Sequence, residues 1–195
     1  MRVSRAQAEA NRERVIDVAS RLFREHGFDG IGLKDLMKGA GLTQGGFYKQ
    51  FESKDDLAAL ASQRALDSST RRWSDATADA SDPLESIISL YLSKDHCGEQ
   101  AEGCPLVSLG SDAARQTPQV RRPFEDGIRE RFERLAEFIG EGDGLARSEK
   151  AMAIWSMMVG AVTLSKIIED EHLSTSVLDA ASNEVRRIAG RDSTR

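Results

Sequence analysis

The feature that most restricts this chain is a periodicity. Its aliphatic and aromatic residues return every three or four positions along most of its length, and no run alternates with period two. That spacing gathers apolar groups on one face of a helix, whereas a half-buried strand needs strict alternation. The pattern therefore predicts an all-α protein of about nine helices with no internal repeat. Val15, Ile16, Ala19, Leu22 and Phe23 form a first stripe, ended by Gly27 as a left-handed terminator with Phe28 packing back on the last turn. Leu33, Leu36, Met37 and Ala40 mark a short second helix, Gly41-Leu42 a tight turn, and Thr43 the N-cap of a third helix through Phe51. Ser53 caps a fourth helix that runs on toward Trp73, with Asp55 and Asp56 placed where acidic groups suit the helix dipole.

Asp82-Pro83 is a strong helix start, a cap followed by proline in the first turn. Residues 95–103 are polar and glycine-bearing and read as a loop ahead of a short helix over 105–115. Pro118 opens a helix striped by Val120, Phe124, Ile128, Phe132, Leu135 and Ile139, which residues 140–144 break. Ser148 is expected to cap a helix over 152–168 that is apolar on nearly every face. The last helix is expected to begin near Ser174 and to repeat Leu178, Ala181, Val185 and Ile188.

Composition narrows the class. With 39% hydrophobic and 30% charged residues the chain can build a real core. No start combines a basic segment, an apolar run and a cleavage site, and the longest nearly apolar stretch, 151–164, is too short to span a bilayer. Two cysteines, Cys97 and Cys104, make no disulfide framework, so a cytoplasmic protein without a membrane partner is expected. The net charge of −5 conceals an asymmetry. Residues 1–54 hold ten Lys and Arg against seven Asp and Glu, a balance of +3; the remainder holds 17 against 25, a balance of −8. A basic head on an acidic body can meet phosphate locally while the body stays off a duplex. Uniformly basic composition, expected of a DNA-coating protein, is missing. An enzyme is not expected either: no Ser/His/Asp set, nucleotide loop or paired-carboxylate site is visible, and His26, His96 and His172 are the only histidines.

The segment GLKDLMKGAGLTQGGFYKQFESKDDL, from Gly32 to Leu57, is the informative one. Two short helices joined by a glycine-containing turn make a helix-turn-helix, whose second helix enters the major groove. Thr43 can donate to a phosphate; Gln44 can pair bidentately with adenine; Lys49 can reach guanine or a phosphate. Gly45 and Gly46 disfavour a helix by about 1 kcal/mol each relative to alanine, either for close backbone approach to DNA or because the first turn is frayed. Lys34 and Lys38 are equally readable as solvated surface charges.

In its first 60 residues this sequence resembles the TetR family of transcription regulators. The likeness rests on a first helix ending in Gly27-Phe28, then Ala40-Gly41-Leu42-Thr43, then Gly46-Phe47-Tyr48 and Phe51, then Ser53-Lys54. Met37 stands where the family more often has alanine. The resemblance implies that Tyr48 and Lys54 meet the phosphate backbone and that Lys34, Thr43, Gln44, Gly45, Gly46 and Lys49 complete the DNA-binding set. Residues 1–54 would then be the DNA-binding domain, and 55–195 a helical effector-sensing and dimerisation domain. The protein would be a homodimeric repressor released from a palindromic operator by a small molecule or by thiol modification. The stretch Gly103-Cys104-Pro105-Leu106 resembles a sub-branch in which this cysteine is a candidate electrophile or oxidant sensor. A thiol at a helix N-terminus is activated by the dipole, although a small buried space-filler fits the same residue. Cys97, His96 and Trp155 are the other effector candidates. A metal site from His96 and the two cysteines lacks a fourth ligand, so no metal or cofactor is expected. Gly160, Ala161 and Ser165, with Leu178, Ala181, Val185 and Ile188, are the expected dimer contacts; a monomeric core helix is the alternative.

Overall fold

A computed structural model describes residues 4–140 and 144–191. Its described residues contain helices and no strand. The helices are α1 (Arg5–His26), α2 (Leu33–Gly39), a 3-10 helix (Gln44–Lys49), α3 (Lys54–Thr77), α4 (Pro83–Tyr91), α5 (Lys94–Gly98), α6 (Pro105–Ala113), α7 (Pro118–Ile139), α8 (Gly144–Ile167) and α9 (Glu171–Ile188). Among the described residues no helix is long and apolar enough to cross a membrane. Part of the expected break at 140–144 lies outside the described residues.

The chain divides into two compact units. The first comprises residues through Ser69 together with Gln100–Glu125. Its core joins Val15, Ile16, Ala19 and Phe23 of α1 to Leu36 and Met37, Phe47, Phe51 and Leu57, and also to Leu109 of α6 and Phe124 of α7. Burying this many large apolar groups is what holds three short segments in place, because a seven-residue helix is not stable alone. Gly27 ends α1 as expected by positive φ, with its N–H donating to the Phe23 carbonyl at 2.7 Å. Its ψ is 168°, so the backbone is extended there instead of left-handed helical. Phe28 packs on Phe23 and edge-on to Phe124, at ring-centroid distances of 5.2 and 6.3 Å. Arg24 is buried and donates to the carbonyls of Ser20 (2.9 Å) and Gly103 (3.2 Å). Residues 55–69 and 100–125 therefore pack within this unit.

The second unit comprises Thr70–Glu99 and Asp126–Arg195. Helices α8 and α9 pack against each other, and Ile154, Met158 and Val162 of one and Leu178, Ala181 and Val185 of the other are buried. Arg186 of α9 donates twice to Glu85 of α4, at 2.6 and 2.9 Å. Arg191 pairs with Asp82 and donates to the Phe138 carbonyl at 3.1 Å.

Four local expectations need correction. The third helix is a six-residue 3-10 helix, since Gly45 and Gly46 weaken the longer α-helix read through Phe51. The loop expected at 95–103 begins as the short α5, capped by Ser93, whose Oγ accepts from His96 N at 3.1 Å. Helix α8 starts at Gly144, so Ser148 lies in its first turns and bonds back to the Gly144 carbonyl instead of capping. Helix α9 starts at Glu171, three residues before Ser174, because Asp170 caps it by accepting from His172 N and Leu173 N.

Candidate nucleic-acid interface and helical body

The turn between α2 and the 3-10 helix is built from backbone. Ala40 ends α2, Gly41 takes φ 71°, and two N–H groups fold back: Gly41 to Lys38 O (2.9 Å) and Leu42 to Met37 O (2.8 Å). This double closure satisfies the orphan carbonyls of α2 and needs a positive φ at its centre, which glycine adopts without strain. Thr43 then occupies the N-cap position, but its side chain makes no capping hydrogen bond. Its hydroxyl is exposed at the head of the helix.

Two rings fix the 3-10 helix. Phe47 is fully buried and Phe51 nearly so, with centroids 5.4 Å apart. Arg12 of α1 lies 5.3 Å over the Phe51 ring. With Phe47 turned inward, its neighbours turn outward: Gln44, Gly45, Tyr48 and Lys49 are exposed, and Gly46 is half-buried. Tyr48 is 71% exposed, a position with no packing reason for a large ring, while Phe47 supports it edge-on at 5.1 Å. Neither Gly45 nor Gly46 has a positive φ. A Cβ on Gly45 would meet nothing within 4 Å, and one on Gly46 would only touch Met37 Cε at 3.7 Å. The two glycines are therefore not demanded by the fold; they leave the outward surface bare.

The fourth helix begins with reciprocal capping. Ser53 Oγ accepts from Asp56 N at 3.0 Å, and Asp56 Oδ2 accepts from Glu52 N at 3.2 Å. This holds Lys54, half-buried, at the first helical position. Lys34 is exposed on α2. All eight sequence-predicted residues lie in one 21-residue stretch of the first unit. Residues 32–54 carry four lysines against Asp35 and Glu52, so the segment keeps a positive balance. Nearby acids are partly occupied, Glu13 and Asp17 pairing with Arg64 of α3.

In the second unit the rings of Trp73, Tyr91, His96 and Trp155 form one buried cluster. His96 and Trp155 were expected as effector candidates; Trp73 and Tyr91 were missed, because nothing in their spacing says that α3, α4 and α8 bring them together. Cys97 is half-buried and Cys104 is buried, and both are free thiols. Cys104 is the N-cap residue of α6, as anticipated, and only 3% exposed. Among the described residues no group of three metal-ligating side chains forms.

The expected dimer residues mostly face inward. Ala161, Ser165, Leu178, Ala181 and Val185 are buried within their own chain, where α8 and α9 close on each other; Ser165 and Ser174 hydroxyls lie 2.6 Å apart. Gly160 and Ile188 are half-buried. A different stripe, of small and apolar residues, lies nearer the surface. Met152, Ser156, Gly160, Thr163 and Ile167 recur at four- and three-residue steps on α8, with Ile167 72% exposed and Leu164 beside it. A Cβ on Gly160 would meet nothing within 4 Å. Leu173 on α9 is exposed as well. The hydropathy of α8, apolar on nearly every face from Met152 onward, concealed which side was which.

Residues 15–61 match the family model of bacterial regulatory proteins of the tetR family. The chain is 25% identical over 182 residues to the HTH-type transcriptional regulator LmrA of Bacillus subtilis, spanning 87% of this chain and 95% of that protein. In fold it is similar to a TetR transcriptional regulator from Chloroflexus aurantiacus, with a TM-score of 0.80 and 23% identity over 96% of this chain and 98% of the other. It is also similar to the reduced form of E. coli NemR, with a TM-score of 0.77 and 20% identity over 91% and 96% of the two chains.

Proposed function

We propose that this chain, whose residues 15–61 match the tetR family model, is a TetR-type helix-turn-helix regulator: a cytoplasmic repressor that binds a palindromic operator as a homodimer and leaves it when an effector is sensed. The observation that carries the reading is the outward display of Gln44, Tyr48 and Lys49 on a helix anchored from behind by Phe47 and Phe51. Tyr48, Thr43, Lys34 and Lys54 take the phosphate-positioning role and Gln44 with Lys49 the base-reading role. The bare backbone at Gly45 and Gly46 permits close approach to the duplex. This assigns DNA binding to residues 1–54 and effector sensing and pairing to 55–195.

A palindrome needs two copies whose recognition helices are about 34 Å apart, one turn of DNA. The open stripe of Met152, Gly160 and Ile167, with Leu164 and Leu173, supports pairing of α8 and α9 with their copies, since apolar surface of this kind marks an interface. Two release routes are read from the chain: a small molecule at the ring cluster around Trp155 and His96, or modification of Cys104, with Cys97 as the more open thiol. Selection of bound sequences from random duplex DNA, repeated with thiol-reactive compounds, tests the reading. A single short palindrome should emerge. Recovery of no preferred sequence at low salt would remove the operator-binding assignment.

A further inference from the structure

The ring cluster of the second unit carries two unmet hydrogen-bonding demands. His96 is 7% and Trp155 3% exposed, and neither His96 Nε2 nor Trp155 Nε1 meets a hydrogen-bond partner among the described residues. Buried polar groups are nearly always paired, and leaving two unmet in one cluster works against the folded state, so each asks for a partner from outside the chain. Both atoms sit on rings that pack against Tyr91, at centroid distances of 4.6 Å for His96 and 4.9 Å for Trp155. Trp73 stands edge-on to Trp155 at 5.3 Å and has the Arg131 guanidinium 4.2 Å over its face.

The polarity of each atom follows from its surroundings. An indole nitrogen only donates. For the imidazole, Nδ1 lies 3.2 Å from Glu99 Oε2. Burial alone would raise the Glu99 carboxyl, but the bidentate Arg72 guanidinium (2.6 and 2.9 Å) together with His96 outweighs it and holds the carboxyl below its usual value. A carboxylate only accepts, so Nδ1 carries the hydrogen. Burial, the largest influence on the ring, outweighs Glu99 and pushes the His96 pKa down, keeping the ring neutral with a lone pair on Nε2. Lys166 pins the Glu99 backbone carbonyl at 2.6 Å, which fixes the residue that orients the ring. The cluster therefore presents one donor and one acceptor among flat aromatic faces.

We propose that Trp73, Tyr91, His96 and Trp155 form a binding site for a flat aromatic molecule bearing a hydroxyl group, the hydroxyl donating to His96 Nε2 and its oxygen accepting from Trp155 Nε1. As the effector of this protein the ligand rests on the reading given under Proposed function; binding itself does not. A hydroxyl is the smallest group that both gives and takes a hydrogen bond, and the rings supply stacking for the remainder of the molecule. Sites built around such a pair reject analogues that leave it unsatisfied.

The test uses three probes on the full chain without DNA, by titration calorimetry: 2-naphthol, 2-methoxynaphthalene, which keeps the oxygen and loses the donor, and naphthalene, which loses both. Both tryptophans of the chain lie in the cluster, so their emission gives a second report of occupancy. The expected order is 2-naphthol tightest, by about tenfold or more over 2-methoxynaphthalene. His96→Phe, which keeps a ring but removes the acceptor, should bring those two within about twofold while naphthalene binding persists, which also reports that the variant folds. Trp155→Phe should weaken both oxygen-bearing probes relative to naphthalene. Equal affinities for all three probes, no saturable binding, or an unchanged preference in His96→Phe would overturn the assignment. Because no DNA is present, those failures leave operator recognition standing, and a protein that ignores DNA leaves this titration intact.

Discussion

Gly27→Ala isolates the joint at which α1 hands the chain to the helix-turn-helix. Gly27 has φ 75° and ψ 168°, a combination essentially confined to glycine, and forcing alanine into it costs about 1–3 kcal/mol. A methyl group there would also come nearer than 3.0 Å to Asp112 Oδ2. That oxygen accepts from Phe28 N at 3.3 Å, and Asp112 is held by Arg115 as well, so the carboxylate must swing away and surrender a long hydrogen bond of about 0.5–1 kcal/mol. Together the substitution should destabilise the protein by about 1.5–4 kcal/mol. Urea unfolding followed by far-UV circular dichroism at one fixed protein concentration measures it, because stability depends on concentration if subunits pair. The same change in an Asp112→Ala background should lose only the backbone part, leaving a coupling of about 0.5–1 kcal/mol. A loss below about 0.5 kcal/mol in the wild-type background would refute the backbone argument, since glycine-only geometry costs more than that. An identical loss in both backgrounds would refute the carboxylate contact.

Tyr48→Phe combined with Lys54→Ala should weaken operator binding for every sequence and make the slope of log affinity against log salt shallower by about 1–2, as for one or two lost phosphate contacts; an unchanged slope takes these residues off the DNA. Gln44→Ala should relax base preference at one position per half-site by about 1–3 kcal/mol in a selection experiment, and a uniform loss over all sequences argues against base reading. Leu164→Glu with Ile167→Glu should leave a single subunit in analytical ultracentrifugation, both side chains being exposed in the free chain, so persistence of the dimer would put the interface elsewhere. His96 has a native pKa lowered, chiefly by burial, from 6.5; stability is therefore full above that value and falls as acidification protonates the unfolded chain first. His96→Phe should lack this loss below pH 6.5, and parallel pH profiles for the two proteins would contradict the buried neutral ring.

Much of the recognition segment could be read directly because its determinants are local. Ala40-Gly41-Leu42 can turn in few other ways, Ser53 caps the helix that begins at Lys54, and the alternation of Phe47 and Phe51 with Gln44, Tyr48 and Lys49 assigns inside and outside by spacing alone. The 3-10 geometry and the missing side-chain cap at Thr43 escaped, since Gly45 and Gly46 weaken an α-helix without specifying the turn that replaces it. In the body the position is reversed. Helix α8 is apolar on nearly every face from Met152 onward, and packing decides that Ala161 and Ser165 turn inward while Met152 and Ile167 turn out.

The linear order of residues determined the helical class, the glycine-centred turn and the identity of the outward-facing side chains at Gln44 and Tyr48, because helix period and capping act across three to five positions. Tertiary structure alone decided that α6 joins the first compact unit through Leu109 and Asp112, and that rings from Trp73 to Trp155 meet in one buried cluster. Those contacts join residues more than eighty positions apart. Their partners are selected by competition among many equally apolar surfaces for burial, which local pattern does not record.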